Sequence, residues 1–169
     1  MAESKQAIKS GYPLPVYNYR VTIQDDSDSL VLSFVEVSGL SVQYEPITYK
    51  HGLSYTSGSH IIPGMRQPIR ITMRQGMTQN RDYLLKWLKD VYENPEAAHK
   101  KRNILIDLCD EAGVAVIRWT VDRAMPVKMD SPTMNANSQE VAVAVLELVA
   151  HNLQMRYLNA AESGQAVIL

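Results

Sequence analysis

Two stretches constrain the fold most: VYNYRVTIQ (16–24) and PIRITMRQG (68–76). In the first, Tyr17, Tyr19, Val21 and Ile23 alternate with Asn18, Arg20, Thr22 and Gln24. In the second, Ile69, Ile71 and Met73 oppose Arg70, Thr72 and Arg74. A period of two puts every apolar side chain on one side of an extended chain, whereas a helix would scatter the same residues around its circumference. Both stretches therefore read as half-buried strands, the second with one apolar and one cationic face.

The remaining segments extend this pattern. DDSDS (25–29) is a cluster of turn formers, and LVLSFVEV (30–37) resumes the strand up to the break at Ser38-Gly39, so the pair forms a hairpin. SVQYEPITYK (41–50) is a third strand. Its Pro46 has no N–H to donate, which assigns that position to an edge or a bulge. A long loop follows from His51 to Gly64, carrying Gly52, Gly58 and Gly64. The single strong helix is NRDYLLKWLKDVYENP: Leu84, Trp87, Leu88 and Val91 make a stripe, Asn80 caps the start with Asp82 in the first turn, and Pro95 ends it. RNILIDLCD, the turn EAG and VAVIRWTVDR form a second hairpin, and MPVKMDSPTMNANS is an irregular connection. A final strand spans about residues 139–155. Val141, Val143, Val145 and Val149 line one face of it, and Ala142, Ala144, Leu146, Leu148 and Ala150 the other. With both faces apolar, it is either central in a two-layer sandwich or partly covered by a neighbouring subunit.

At 169 residues the chain fits a single domain (1–169), with the ends, 1–10 and 160–169, expected to be flexible. The apolar share of 46% and charged share of 21% are those of a folding chain, and a net charge of -1 supplies no global attraction to nucleic acid or an anionic bilayer. Cys109 is the only cysteine, which excludes an internal disulfide and a multi-thiolate metal site and reads as a buried strand thiol. His51, His60, His99 and His151 lack the close spacing of first-shell metal ligands. Ser57, Ser59 and His60 lie close in sequence, but on a loop without the rigid base and oxyanion donors a nucleophile needs. The basic run HKKR (99–102) reads as a solvated patch between helix and strand. These observations lead to expectations of no enzymatic activity, no cofactor and no specific nucleic-acid recognition. MAESKQAIKS lacks the apolar core of a signal peptide, and the longest strongly apolar run, VAVAVL, is too short to span a bilayer. Synthesis in the cytoplasm without a signal peptide, and no membrane segment, are the corresponding expectations.

YPLPVYNYRVTI, FVEVSGL, EPITYKHG, IIPGMRQPIRITMRQGMT, LLKWL, RNILIDLCDEAGVAVIRWTV and AMPVKMDSPTMNANSQEVAVAVLEL follow one another between about residues 11 and 157. In order and spacing they resemble the inner tail tube proteins of contractile phages and phage-like contractile injection systems, relatives of the Hcp tube protein of type VI secretion. The resemblance implies a mainly β fold with one flanking helix, an antiparallel two-sheet sandwich or small β-barrel. It implies homohexameric rings stacked as a rigid inner tube that conducts cargo through its lumen. The implied partners are other copies of the chain, a surrounding sheath, and baseplate and tube-terminating proteins, in a virion tail or an injection particle released from the cell. The loop after the third strand would then reach the next ring, through Tyr49, Lys50, His51, Gly52, Leu53, Tyr55, Ile61, Ile62, Pro63 and Gly64. Val141, Ala142, Val143, Ala144 and Val145 are candidates for the lateral contact between subunits. The alternative from the residues alone is a monomeric or small-oligomer β-sandwich binding module, or a secreted effector carrier.

Overall fold

A computed structural model of the protein describes residues 12–25, 29–53, 58–78, 82–93, 100–158 and 167–168. Its strands are β1 (Tyr19–Gln24), β2 (Ser29–Leu32), β3 (Glu36–Ser38), β4 (Ile47–Tyr49), β5 (His60–Ile62), β6 (Ile69–Gly76), β7 (Arg102–Cys109), β8 (Ala115–Asp130), β9 (Val143–Ala150), β10 (Asn152–Tyr157) and β11 (Val167–Ile168). One helix among the described residues, α1 (Tyr83–Glu93), lies between β6 and β7. The main sheet runs β2-β1-β7-β8-β9-β6-β3, with β10 also on β8 and β11 on β10, while β4 and β5 form a separate hairpin. The expected mainly β architecture with one flanking helix is the one found. Residues 167–168, within the tail expected to fray, pair with β10; residues 1–10 lie outside the described residues.

The path folds into two layers because its longest strands change partner midway. In β8, Ile117–Asp122 pairs with β10 on one side and β7 on the other, but Met125–Asp130 pairs with β9. The crossing falls at Arg123, whose φ of 54° is the left-handed conformation a non-glycine residue rarely adopts. Asn103 Oδ1 accepts the Arg123 N–H at 2.9 Å and holds the bend. The single final strand expected over 139–155 breaks at the same level: β9 ends at Ala150, β10 begins at Asn152, and the His151 N–H donates to the Asp122 carbonyl at 3.1 Å. Val141 and Ala142 lie outside the strand and are exposed.

The segment expected as one strand, Leu30 to Val37, is likewise two. β2 pairs with β1 and β3 with β6, the opposite ends of the path, so the bend at Ser33–Val35 carries the chain between layers. Its polar groups are paired across that gap. Tyr19 Oη donates to the Phe34 carbonyl at 2.7 Å, the Val35 N–H to the Arg74 carbonyl at 2.7 Å, and Gln75 Nε2 to the Ser33 carbonyl at 3.4 Å. At Gly39, with φ 85°, a Cβ would meet the Arg70 carbonyl oxygen at 2.2 Å, so only glycine allows the approach.

Between the layers lies one core: Val21, Ile23, Ile71, Met73, Ile104, Val121, Leu148 and Leu153 are fully buried. Trp87 of α1 joins them at 0% exposure, with its Nε1–H donating to the Lys100 carbonyl at 3.2 Å. The expected helix stripe holds at Leu84, Trp87 and Val91 but not fully at Leu88. Leu84 and Trp87 are buried, Tyr83 and Val91 pack against the core, and Leu88 is only half-buried. Residues Asn80 and Pro95, assigned to its ends, are outside the described residues; Asp82 pairs with Lys86 at 2.7 Å.

Within the basic run expected to be solvated, Arg102 is the exception. Arg102 is 7% exposed, its guanidinium 2.8 Å from Asp25 and over the rings of Tyr83 (4.8 Å) and Trp87 (5.1 Å). Stacking and ion pairing together pin α1 to the sheet. Burial raises the Tyr83 phenol above its usual pKa, partly offset by Arg102. Lys100 and Lys101 remain exposed, and His99 is outside the described residues.

Candidate assembly surfaces

The segment from Ile47 to Ile62, expected as a strand end followed by a loop, is a β-hairpin arm. Ile47, Thr48 and Tyr49 pair with Ile62, Ile61 and His60, away from the main sheet. At its root Tyr44 bridges Arg66, the Gln67 N–H donates to the Gln43 carbonyl at 2.8 Å, and the Glu45 N–H donates to the Met65 carbonyl at 3.1 Å. Pro46 falls at the interruption between root and hairpin, where no ladder N–H is needed, as its chemistry requires. The strands approach so closely there that a Cβ on Gly64 would lie 1.7 Å from the Glu45 carbonyl oxygen. Gly64→Ala is therefore expected to force the arm's root apart while leaving the core intact. Amide hydrogen exchange should show faster exchange at residues 45–65 and unchanged protection in β6 and β9.

The arm buries little on its own subunit. All six residues of β4 and β5 are exposed, with Ile47 at 55%, Ile61 at 73% and Ile62 at 47%. Tyr49, Lys50, His51, Gly52, Leu53 and Pro63 are exposed too, while Gly64 is half-buried; Tyr55 and Ser57 are outside the described residues. The sequence spacing leaves His51 and His60 apart, but the hairpin stacks their rings at 5.9 Å, with Tyr49 6.1 Å from His51. His51 Nδ1 accepts the Leu53 N–H at 3.2 Å, shaping the turn. Among the described residues no three His, Cys, Asp or Glu side chains gather as a metal site.

A second surface is the outer face of β6 and β9, where Arg70 and Arg74 are exposed and Val143, Val145, Glu147 and Val149 are half-buried. Several of its charges are matched locally: Arg74 with Glu36 at 3.3 Å, and Lys128 with Asp130 at 2.5 Å and Glu147 at 3.6 Å. The hydrogen bond to Asp130, then its charge, holds the Lys128 amine above its usual pKa. Among the lateral candidates, Ala144 is a correction. It faces the interior of its own subunit at 8% exposure, on the same face of β9 as the buried Leu146, Leu148 and Ala150; Val143 and Val145 face outward. This sheet has two open edges. Among the described residues no strand lies beside β3 opposite β6, or beside Met125–Asp130 opposite β9. Sequence periodicity shows strands but not which of their edges lack partners, so these edges were not legible there.

A two-layer β-sandwich with one flanking helix, an exposed apolar hairpin and unpaired edges offers surfaces suited to association. The family of the T4-like virus tail tube protein gp19 matches residues 15–154. The chain belongs to that tail tube family of structural proteins. A chain in the extended-state sheath–tube complex of PVC, an extracellular contractile injection system, is 30% identical and superposes with a TM-score of 0.79, over 93% of this chain and 100% of that one. A chain in the tube-terminating cap of the anti-feeding prophage is 30% identical, with a TM-score of 0.74 over 86% and 92%. An Hcp protein shares the fold at 10% identity and a TM-score of 0.57, over 86% and 96%. Comparison with curated proteins returned no match. No helix among the described residues is long and apolar enough to cross a membrane.

Proposed function

We propose that this chain is the inner tube subunit of a contractile injection particle, closing as six copies into a ring and stacking ring on ring into a hollow conduit for cargo. The arm carries the reading: Ile47, Tyr49, Leu53, Ile61 and Ile62 are ordered around an extended hairpin yet exposed on the subunit. Each large aliphatic side chain contributes about 1.5 to 3 kcal/mol when fully removed from water, enough to offset the ordering of the arm on a neighbouring ring. The two open edges support closure of the ring, because β3 of one copy and Met125–Asp130 of the next supply unpaired ladders at opposite ends of the same sheet. Val141, Ala142, Val143 and Val145, near that edge, are the lateral candidates that remain. Closed in this way, the sheets turn the face of Arg70, Arg74 and Glu147 to the lumen. Arg74 and Glu147 of that face already have counter-charges beside them, which limits retention of cargo.

A sheath, a terminating cap and a baseplate are the partners this assignment implies, since the similar chains come from a sheath–tube complex, a tube-terminating cap and a baseplate. The tube subunit itself needs no catalysis or cofactor. Replacing residues 48–61 by two glycines tests the arm directly. The expected outcome is rings of normal diameter that no longer stack, seen by negative-stain microscopy and sedimentation. Long regular tubes from the shortened chain would place stacking elsewhere.

A further inference from the structure

Beside the root of the arm, where β8 and the β9–β10 pair bend between layers, a cleft of about 340 Å³ is rimmed by Arg66, Lys101, Arg123 and His151 above a floor that includes Met125 and Val149. Its rim is built, not incidental. Arg66 Nη1 donates to Asn152 Oδ1 at 2.9 Å, and Arg123 is held in its left-handed conformation by Asn103. A neighbouring pocket that shares Arg66, Arg123 and His151 contains one carboxylate, Asp122, and Asn152 Nδ2 donates to it at 3.1 Å. Cations around an apolar floor fit an acidic residue that has an apolar neighbour, better than a bare phosphate, which would leave the floor wet.

The chain itself carries such a group at the far end of β7. The turn from Asp110 to Val114 exposes Glu111, and Val114 is 55% exposed beside it. Asp110 Oδ1 accepts the N–H groups of Ala112 and Val114, each at 2.9 Å, so the turn is set in shape before any contact. β7 starts next to Lys101 and ends next to this turn, about 25 Å away for eight extended residues. One copy's turn and another copy's cleft are thus different surfaces, at opposite ends of β7. Such a contact is heterologous and repeats without closing.

We propose that the cationic cleft receives the Glu111–Val114 turn of a second copy in the adjoining ring, a contact that rests on the tube assignment and adds polarity and register to the stacking made by the arm. The test uses the full-length chain with Lys101→Glu, Glu111→Lys and both together, after melts show that these exposed substitutions leave the fold intact. Each single reversal is expected to lower the ring–ring association constant at least about tenfold, and the double reversal to restore it. Wild-type stacking should also weaken as salt rises through the range that screens close charges. Tubes of wild-type length from Lys101→Glu, or no recovery in the double variant, would overturn the pairing while leaving the tube assignment standing. Unaltered tubes with a duplex DNA affinity that Lys101→Glu abolishes would give the cleft to nucleic acid and overturn the pairing too. A wild-type chain that forms neither rings nor tubes would remove the tube assignment itself, and the pairing with it.

Discussion

Trp87→Ala is expected to destabilise the subunit by about 3 to 5 kcal/mol, the largest effect of any single substitution in α1. The indole is 0% exposed in the core that α1 shares with the sheet. Its loss leaves a cavity, orphans the Lys100 carbonyl it bonds at 3.2 Å, and removes one of the two rings over the Arg102 guanidinium. The cation would then sit buried with only Asp25 and Tyr83 to hold it. Trp87→Phe keeps a ring there but not the donor, and should cost less, while the exposed Lys89→Ala should change little. Thermal and urea melts of the arm-shortened chain, which separate subunit stability from ring stacking, provide the comparison. Equal small shifts for Trp87→Ala and Lys89→Ala would mean that α1 is not docked through this residue.

Arg118→Met is the second large effect, about 3 to 5 kcal/mol, and it arises from the partner left behind. Asp107 is 3% exposed, and its two oxygens accept from Arg118 Nε at 2.6 Å and Nη2 at 2.9 Å. Arg20 stands farther off at 3.7 Å with its side chain 48% exposed, too far into solvent to neutralise the carboxylate alone. Deleting Arg118 thus strands a buried charge. Asp107→Asn leaves a guanidinium that is already 34% exposed and can turn to water, so it should cost less. Adding Asp107→Asn to Arg118→Met should recover part of the loss, because the neutral amide no longer needs a counter-charge. A double-mutant cycle from urea melts reads this coupling, and simple additivity would show that the pair is not coupled in the fold.

Class and composition of the fold follow from local pattern. Alternation at Tyr19 to Gln24 and at Ile69 to Arg74 can be satisfied only by an extended chain with one side covered, and the structure buries Val21, Ile23, Ile69, Ile71 and Met73, whereas Tyr17, expected on the same face, precedes β1 and is 80% exposed. The helix was legible from the spacing of Leu84, Trp87 and Val91, and the thiol of Cys109 is buried in a strand as its chemistry suggested. The arm was legible as an apolar excursion, by Leu53, Ile61 and Ile62 in a glycine-bearing segment. That it pairs with itself was not, because Ile47 to Tyr49 reads equally well as the end of a sheet strand.

What the tertiary structure decided is where strands change layer and which faces and edges are covered. Arg123 and His151 interrupt no alternation strongly enough to mark a bend; both lie where β8 leaves β7 and β10 and takes up β9 as its partner. Val143 to Ala150 is apolar on both faces, so periodicity cannot choose between them. The face of Ala144, Leu146, Leu148 and Ala150 is the one buried, while the face that carries the charge of Glu147 is turned outward. Arg102 belongs to a run of basic residues and looks solvated by composition. Two rings from α1 and a carboxylate at the β1–β2 turn, all distant in sequence, make its burial favourable. A periodic pattern records how much of a strand must be hidden from water; the partners that hide it are set by contacts between residues far apart in the chain.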